Sequence, residues 1–305
     1  MAAMDLLVNN LLLATALVIG VRIIILVMVR KKGGPLPPGP KGLPWVGNVS
    51  GFPARGVREW EHWLKFKDLY GPISSVTAFG TTIIVLHSQE LALELFEKRS
   101  ANYSSRTRLV FGGEMVGWGD ILPLVPYNKQ FRAHRRHLHT MIGTQALISP
   151  YFPLQEIEVH RFLFRLLQEP ESFIAQIRTV AGAIILKMTY GYTIEPHKPD
   201  PLVQLVNSAL EQFAASTVPG VWLVDIIPAL RYIPEWIPGA RFKKTAKEWK
   251  ATLRETIEKP LRFTKQRIAA GDYENSYASD FYKNKGENMS SEDEHLLKWS
   301  AACTC

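Results

Sequence analysis

Tyr127-Asn128-Lys129-Gln130-Phe131-Arg132-Ala133-His134-Arg135-Arg136-His137-Leu138-His139 is the most unusual stretch of this 305-residue chain. It predicts a helix over about residues 128–140. On a helix Phe131, Arg135 and Leu138 share one face, while Lys129, Arg132 and Arg136 lie largely on another. One Arg can therefore point inward beside an aromatic ring while a basic surface faces outward. An inward Arg needs an anionic partner. Helix geometry alone favours a protein carboxylate in that role, with the carboxylate of a bound cofactor as the alternative.

The same stretch holds three histidines, His134, His137 and His139. Clustered histidines also occur in the His boxes of membrane di-iron hydroxylases and desaturases. Such sites draw on several boxes, because each metal takes several ligands. Here His62, His87, His160, His197 and His295 stand singly, and His137 and His139 face different ways on a helix. A di-iron hydroxylase is therefore the remote reading, and no metal ligand is assigned.

Working outward, the pattern predicts mainly helices with a small β-sheet, an α+β class. Residues 57–70 read as an amphipathic helix with Val57, Trp60, Trp63, Leu64 and Tyr70 near one face, ended by Gly71-Pro72. Residues 73–79 and 81–86 are β-branched and apolar and read as a hairpin turning at Gly80. Ser88 is a good N-cap for a helix over 89–98. Residues 110–124 are rich in Gly and apolar side chains and read as a loop. Further helices are expected over 150–167, 173–190, 201–215 and 241–270. In the second of these Ile174, Ile177, Ala181, Ile184 and Met188 recur at close to helical spacing, as a core face does. Residues 218–239 are apolar and broken by four prolines, and 271–287 read as a polar loop. A last helix starts at Ser290 or Ser291, with Glu292, Asp293 and Glu294 in its favourable first turn.

The N-terminus has a different character. Residues 11–29 are apolar except for Thr15, Gly20 and Arg22, and Arg30-Lys31-Lys32 follows. A run of this length can span a bilayer, and the trailing charges favour the cytoplasmic side. A cleaved signal peptide would carry its charge first. The expected organisation is a transmembrane anchor over 6–29, a basic and Pro-rich hinge over 30–56, and a globular part over 57–305. Asn48-Val49-Ser50, Asn102-Tyr103-Ser104 and Asn288-Met289-Ser290 match the glycosylation pattern but should stay unmodified in that topology. Trp222, Leu223, Ile226, Ile227, Ile233, Trp236 and Ile237 are apolar enough for a second membrane contact.

Composition fits a packed globule, with 47% hydrophobic and 21% charged residues. The net charge is +8. Ten basic residues fall within 241–267, interleaved with Phe242, Trp249, Leu253, Ile257 and Leu261. That is a solvated face opposite a core face rather than a nucleic-acid surface. The only cysteines are Cys303 and Cys305, so no disulfide framework is possible.

The anchor, the Pro37-Pro38-Gly39-Pro40 hinge and the Tyr127–His139 helix together resemble a membrane-bound cytochrome P450, a heme-thiolate monooxygenase. Asn102-Tyr103-Ser104-Ser105-Arg106 resembles the stretch before that family's variable substrate loop. The segment from Val218 to Gly239 is similar to an apolar segment of fungal members. Lys298-Trp299-Ser300-Ala301-Ala302 resembles the start of their long central helix.

The resemblance implies an incomplete cytochrome P450 fold behind an N-terminal transmembrane helix, in the endoplasmic reticulum membrane with the globular part cytoplasmic. It implies a heme cofactor and insertion of one oxygen atom from O2 into an apolar small molecule, a xenobiotic or secondary metabolite. Electrons would come from NADPH through cytochrome P450 reductase, docked on Lys129, Arg132 and Arg136. The family's Trp-x-x-x-Arg, which contacts the heme propionates, falls on Phe131 and Arg135. Phe131 lacks the indole N–H, whereas Arg135 can still pair with a propionate. The family's Ala/Gly-Gly-x-Asp/Glu-Thr and Phe-x-x-Gly-x-x-x-Cys-x-Gly are not found among these residues. Glu158-Val159-His160-Arg161 meets the Glu-x-x-Arg pattern far too early. The chain reads as the N-terminal part of such an enzyme, expected to be inactive by itself or to be a non-catalytic, membrane-associated remnant.

Overall fold

The computed structural model describes Gly20 and residues 34–43, 46–53, 57–195 and 198–304. The anchor expected over residues 6–29 (Gly20 apart), the triplet Arg30-Lys31-Lys32, His197 and Cys305 lie outside the described residues. The chain divides into two compact units, residues 1–98 and 99–305.

In the first unit, helix α1 (Glu59–Tyr70) ends at Gly71 as the sequence predicts. Its buried residue is Phe66, which meets Trp63 and Tyr70 edge-on at 5.2 and 5.3 Å between ring centroids. Val57, Trp60 and Leu64, expected on the core face, are exposed. The rings spaced by three and four residues at 63, 66 and 70 outweigh them, because together they make a continuous apolar stripe. Strands β1 (Ile73–Ala78) and β2 (Thr81–Leu86) form the expected antiparallel hairpin, with Val76 opposite Ile83. Both turn residues, Phe79 and Gly80, have positive φ, the geometry that matches the right-handed twist of paired strands. Ser88 caps α2 (Gln89–Leu93), its Oγ accepting from Leu91 N at 3.3 Å, and the chain continues as a wider turn through Glu94–Lys98.

The Pro-rich hinge is more than a spacer. An extended proline segment has no internal hydrogen bonds, so its carbonyls are free to accept. Pro38 O accepts from Ser75 N at 2.8 Å, and Pro37 O accepts from Ser75 Oγ at 2.7 Å. Asn48 clamps both sides, donating to Pro40 O at 2.8 Å and accepting from Thr77 N at 3.0 Å. The hinge therefore runs against β1.

The second unit is helical. Its labelled helices are α3 (Lys129–Ile142), α4 (Phe152–Gln168), α5 (Phe173–Tyr190), α6 (Pro201–Ser216), α7 (Arg241–Ala269), α8 (Tyr277–Lys285) and α9 (Ser291–Ala302). Helix α7 is the spine, touching α5, α6, α8 and α9. Its Leu253, Ile257 and Leu261 are buried at the spacing the sequence predicts, with Phe242 and Trp249 partly buried on the same side. Pro260 sits inside α7. There Thr264 Oγ1 donates to Tyr190 O at 2.8 Å, which joins α7 to the end of α5.

Three expectations are corrected. Residues 110–124 are not a surface loop: they wind into helical turns at Val110–Val116 and Trp118–Asp120, and Val110, Phe111, Val116, Trp118 and Ile121 join the core. Residues 271–287 contain α8, started by a reciprocal capping box between Ser276 and Ser279. On α5 the buried side chains are Gln176, Ala183, Leu186, Met188, Thr189 and Tyr190, whereas Ile174, Ile177 and Ala181 are exposed. Nearly the whole helix is apolar, so spacing alone does not fix which face turns inward. Gln176 explains the choice, because its amide donates to Glu169 O at 2.8 Å and so satisfies an orphan carbonyl at the end of α4. Among the described residues, Pro170–Tyr190 is the one helix long and apolar enough to cross a membrane by composition, and its C-terminal half enters the core through Ala183, Leu186, Met188 and Tyr190.

Candidate functional site

Helix α3 begins where the sequence places it, with Asn128 Oδ1 accepting from Phe131 N at 3.0 Å. That cap satisfies an otherwise orphaned donor of the first turn. Phe131 is buried and meets the Tyr127 ring edge-on at 5.4 Å. The Arg135 guanidinium lies 5.8 Å from the Phe131 ring centroid, and that of Arg132 lies 5.7 Å from Tyr127. Arg135 itself is exposed, not inward as expected. The side chain that turns in is His134, one position earlier.

The charge pattern of α3 is as informative as its packing. Among the described residues, Lys129, Arg132, Arg135 and Arg136 make no ion pair with a carboxylate. A protein carboxylate for Arg135 is therefore not found there. An exposed guanidinium steadied on an aromatic face keeps its donors free for a planar carboxylate, which it can hold through two parallel hydrogen bonds. The donor set fits a propionate at Arg135. At Phe131 it supplies packing alone, since a benzyl ring carries no N–H.

His134 is fully buried, and its Nδ1 lies 2.9 Å from Ser300 Oγ on α9. Its Nε2 has no hydrogen-bond partner among the described residues. Burial, reinforced by nearby His295, lowers its pKa to about 4, so the imidazole is neutral at physiological pH. A second contact between the two helices joins Gln130 Nε2 to Asp120 Oδ1 at 3.1 Å and to His295 Nε2 at 3.3 Å. His137 rests against the Phe281 ring at 5.4 Å, and His139 is exposed. The three histidines thus face three different surroundings, and among the described residues no three metal-capable side chains converge. The His134–Ser300 contact is invisible in either local sequence. Its one signal is that His134 follows the aromatic Phe131 by three positions and so shares its side of the helix.

Cys303 lies at the end of the last helix. It caps α9 and is half-buried, and burial raises its thiol pKa. It is therefore protonated rather than a ready thiolate. Glu158 and Arg161 form an ion pair at 2.6 Å within one turn of α4, with Glu158 buried.

The apolar segment after α6 closes over the buried turn at residues 110–116. Asp225 Oδ1 accepts from Phe111 N at 2.8 Å. The Trp222 ring stacks on Phe111 at 3.5 Å between centroids, and Trp249 meets both rings edge-on. Gly112 permits the contact, because a Cβ there would lie 2.9 Å from Ser216 O. Glu114 pairs with Arg108 and with Arg231. Burial raises the Asp225 pKa, opposed by the amide hydrogen bonds it accepts. Leu223, Ile227, Tyr232 and Trp236 remain exposed.

Known proteins resemble this chain along most of its length. The cytochrome P450 family model matches residues 37–299. Cytochrome P450 monooxygenase CLM2 of Gibberella zeae is 44% identical over 280 residues, covering 91% of this chain and 53% of that protein. Cytochrome P450 monooxygenase ppsD of Aspergillus oryzae is 43% identical over 266 residues, covering 87% and 50%. O-methylsterigmatocystin oxidoreductase of Aspergillus flavus is 35% identical over 268 residues, covering 88% and 51%. The chain spans about half the length of the curated relatives it matches.

Proposed function

Because the chain belongs to the cytochrome P450 family, whose cofactor is heme, we propose that it supplies the N-terminal half of a membrane-bound monooxygenase acting on an apolar small molecule. The product gains one oxygen atom from O2. A secondary metabolite is the favoured substrate class, since relatives include an oxidoreductase named for O-methylsterigmatocystin. Bound heme supplies the oxygen activation. This chain's residues bind and orient. Arg135 would hold a propionate, Phe131 would supply packing alone, and neutral His134 fixes α3 to α9 without adding a competing charge. The observation that carries the reading is Arg135, a guanidinium seated on Phe131 with no ion-paired carboxylate among the described residues.

The remaining roles are part of the same proposal. Lys129, Arg132 and Arg136 form the basic surface for NADPH–cytochrome P450 reductase. Residues 6–29 cross the endoplasmic reticulum membrane, leaving the rest cytoplasmic, and residues 218–239 rest on its surface. Residues 1–305 by themselves are inactive, because they include no segment that shields a thiolate for iron and the Cys303 thiol is held protonated.

Titration of ferric heme into the purified chain, followed by reduction under carbon monoxide, tests this. Weak association is expected, since one exposed ion pair contributes about 0–1 kcal/mol. Arg135→Gln should weaken it further, and no absorbance band of thiolate ligation should appear. Equal affinity in Arg135→Gln would remove Arg135 from the site. A stoichiometric thiolate band would overturn the claim of inactivity.

A further inference from the structure

Helix α3 is held to the second unit by little hydrocarbon. Of its fourteen residues, Phe131, His134 and Met141 are buried. Imidazoles make two of its ties. His134 Nδ1 meets Ser300 Oγ of α9 at 2.9 Å, and half-buried His137 lies against the Phe281 ring of α8 at 5.4 Å between centroids. Both contacts suit a neutral ring. The His134 Nε2 is buried and meets no acceptor among the described residues, so an imidazolium there would bury a charged donor without a partner. The helix also carries Lys129, Arg132, Arg135 and Arg136 and no carboxylate, so protonating both rings raises its positive side chains from four to six. Around His134 stand His295 of α9, Asp120 and the His137 of α3 itself, with Tyr277 of α8 beside Ser300. Around His137 stand Lys285 of α8, Arg136 of α3 and Asp293 of α9. The two carboxylates favour charged rings, but Asp293 is shared with Lys285 at 2.8 Å and Asp120 with Gln130 at 3.1 Å. Burial and the cations outweigh them and hold both rings below the usual histidine range.

We propose that α3 is an acid-released element: one proton taken up by each of His134 and His137 frees it from α9 and α8 while the helices around α7 stay folded. The protons come from solvent, and the open helix accepts them because its imidazoles are then hydrated. Helix α7 joins α5, α6, α8 and α9 through Leu253, Ile257 and Leu261, side chains that do not titrate. Sub-global opening of one weakly held element ahead of the core is ordinary behaviour for a folded domain. Each proton that the open form binds and the closed form excludes makes opening about tenfold easier per pH unit below about pH 6.5. Two such protons approach about a hundredfold, which one buried histidine cannot give. Asp293 is held at about 2 by Lys285 and Ser290, so it stays ionised down to about pH 5 and adds no proton of its own. The inference is independent of any bound group, although release would carry Arg135 and the basic face of α3 with it.

The test is amide hydrogen exchange of the full chain in detergent micelles, followed from about pH 6.5 to pH 5 at several low urea concentrations and corrected for the intrinsic exchange rate. The expected result is an opening constant for the α3 amides that rises by more than tenfold, toward about a hundredfold, per pH unit. Its urea dependence should be shallow, because little surface is exposed, whereas α7 amides should follow a steep one. His137→Gln removes one titrating ring at a half-buried position and should bring the α3 slope down to about tenfold per pH unit. His134→Gln keeps a hydrogen-bonding group for Ser300 and should do the same. If that variant fails to fold, His137→Gln alone decides. His139→Gln, on the exposed side of the helix, should leave the slope as in the parent. A parent slope of tenfold or less, or an unchanged slope in His137→Gln, would overturn the proposal. So would α3 amides that share the steep urea dependence of α7 throughout, since α3 would then open only when the whole unit unfolds.

Discussion

His134 carries the sharpest consequence at the scale of single residues. Its imidazole is fully buried between α3 and α9, and its pKa falls to about 4. In the unfolded chain the group titrates near 6.5. Between those values the unfolded state binds the proton that the native state refuses, so stability rises with pH across the window. The contribution is complete above about pH 6.5 and is lost progressively as pH falls toward 4, by up to about 3 kcal/mol. Denaturant midpoints measured from pH 7 to pH 4 should therefore fall steeply. In His134→Leu the slope over this window should flatten, although the variant also strands Ser300 Oγ. An unchanged slope would mean that His134 is reachable by protons in the folded state. Asp225 has the opposite sign. Its folded pKa is raised by burial, so its cost to stability appears as pH rises from its unfolded value through its folded one. The two groups are told apart by the opposite signs of their pH dependence.

At the scale of elements, the decisive contact is between the turn at 110–116 and the segment that follows α6. Removing Asp225 by Asp225→Ala leaves the Phe111 amide unpaired within a buried turn. A hydrogen bond to a charged group contributes about 1.5–3 kcal/mol, and the variant should lose that much in urea unfolding. Asp225→Asn keeps an acceptor oxygen and should lose less. Gly112→Ala drives a methyl group into the Ser216 carbonyl and should destabilise by about 1–3 kcal/mol, as overpacking does. If both variants unfold at the parent midpoint, the two segments are not clamped. This contact also marks where sequence reading stopped. The hairpin, α1, α3, α7 and α9 were legible because each has a period, a cap or a stop of its own. The burial of residues 110–124 was not, because its determinants, Asp225, Trp222 and Ser216, lie more than a hundred positions away. Helix α8 was hidden by its polar composition, its start encoded in a Ser276–Ser279 box rather than the commoner Ser-x-x-Glu. Helix α5 has the opposite difficulty, with too many apolar positions to reveal which face is buried. On α3 the closeness of Phe131 and Arg135 was legible from spacing, but Arg135 is exposed and the inward residue is His134, which only its partner Ser300 makes evident.

At the scale of the whole molecule, two features decide how the chain behaves. The first is topology. Asn48 is buried, and both its side-chain functions are committed to Pro40 and Thr77, so its lack of a glycan would say nothing about which side of the membrane it occupies. Asn102 and Asn288 are exposed. They alone report orientation, and both should remain unglycosylated in a eukaryotic host if residues after 32 are cytoplasmic.

The second feature is the outer face of α4 and α5, which pack together yet leave much apolar surface in water. Ile157, Leu163, Phe164 and Leu167 on α4, with Ile174 and Ile177 on α5, are all exposed, Leu167 at 85%. Apolar patches of more than a few hundred Å² are uncommon on monomeric proteins and mark an interface or an aggregation hazard. Here both helices end together near Gln168 and Phe173, so the exposed side chains are concentrated rather than scattered. The chain spans about half the length of the curated relatives it matches. We expect these residues to self-associate even when detergent occupies the N-terminal apolar run. Phe164→Glu, Leu167→Glu and Ile174→Lys replace exposed positions without touching the buried Leu186 or Tyr190, so the fold should survive with circular dichroism unchanged. The triple variant should shift sedimentation in detergent from large species toward a single chain per micelle. If parent and variant sediment alike, with the same share of large species, then this face does not drive association and the N-terminal run does.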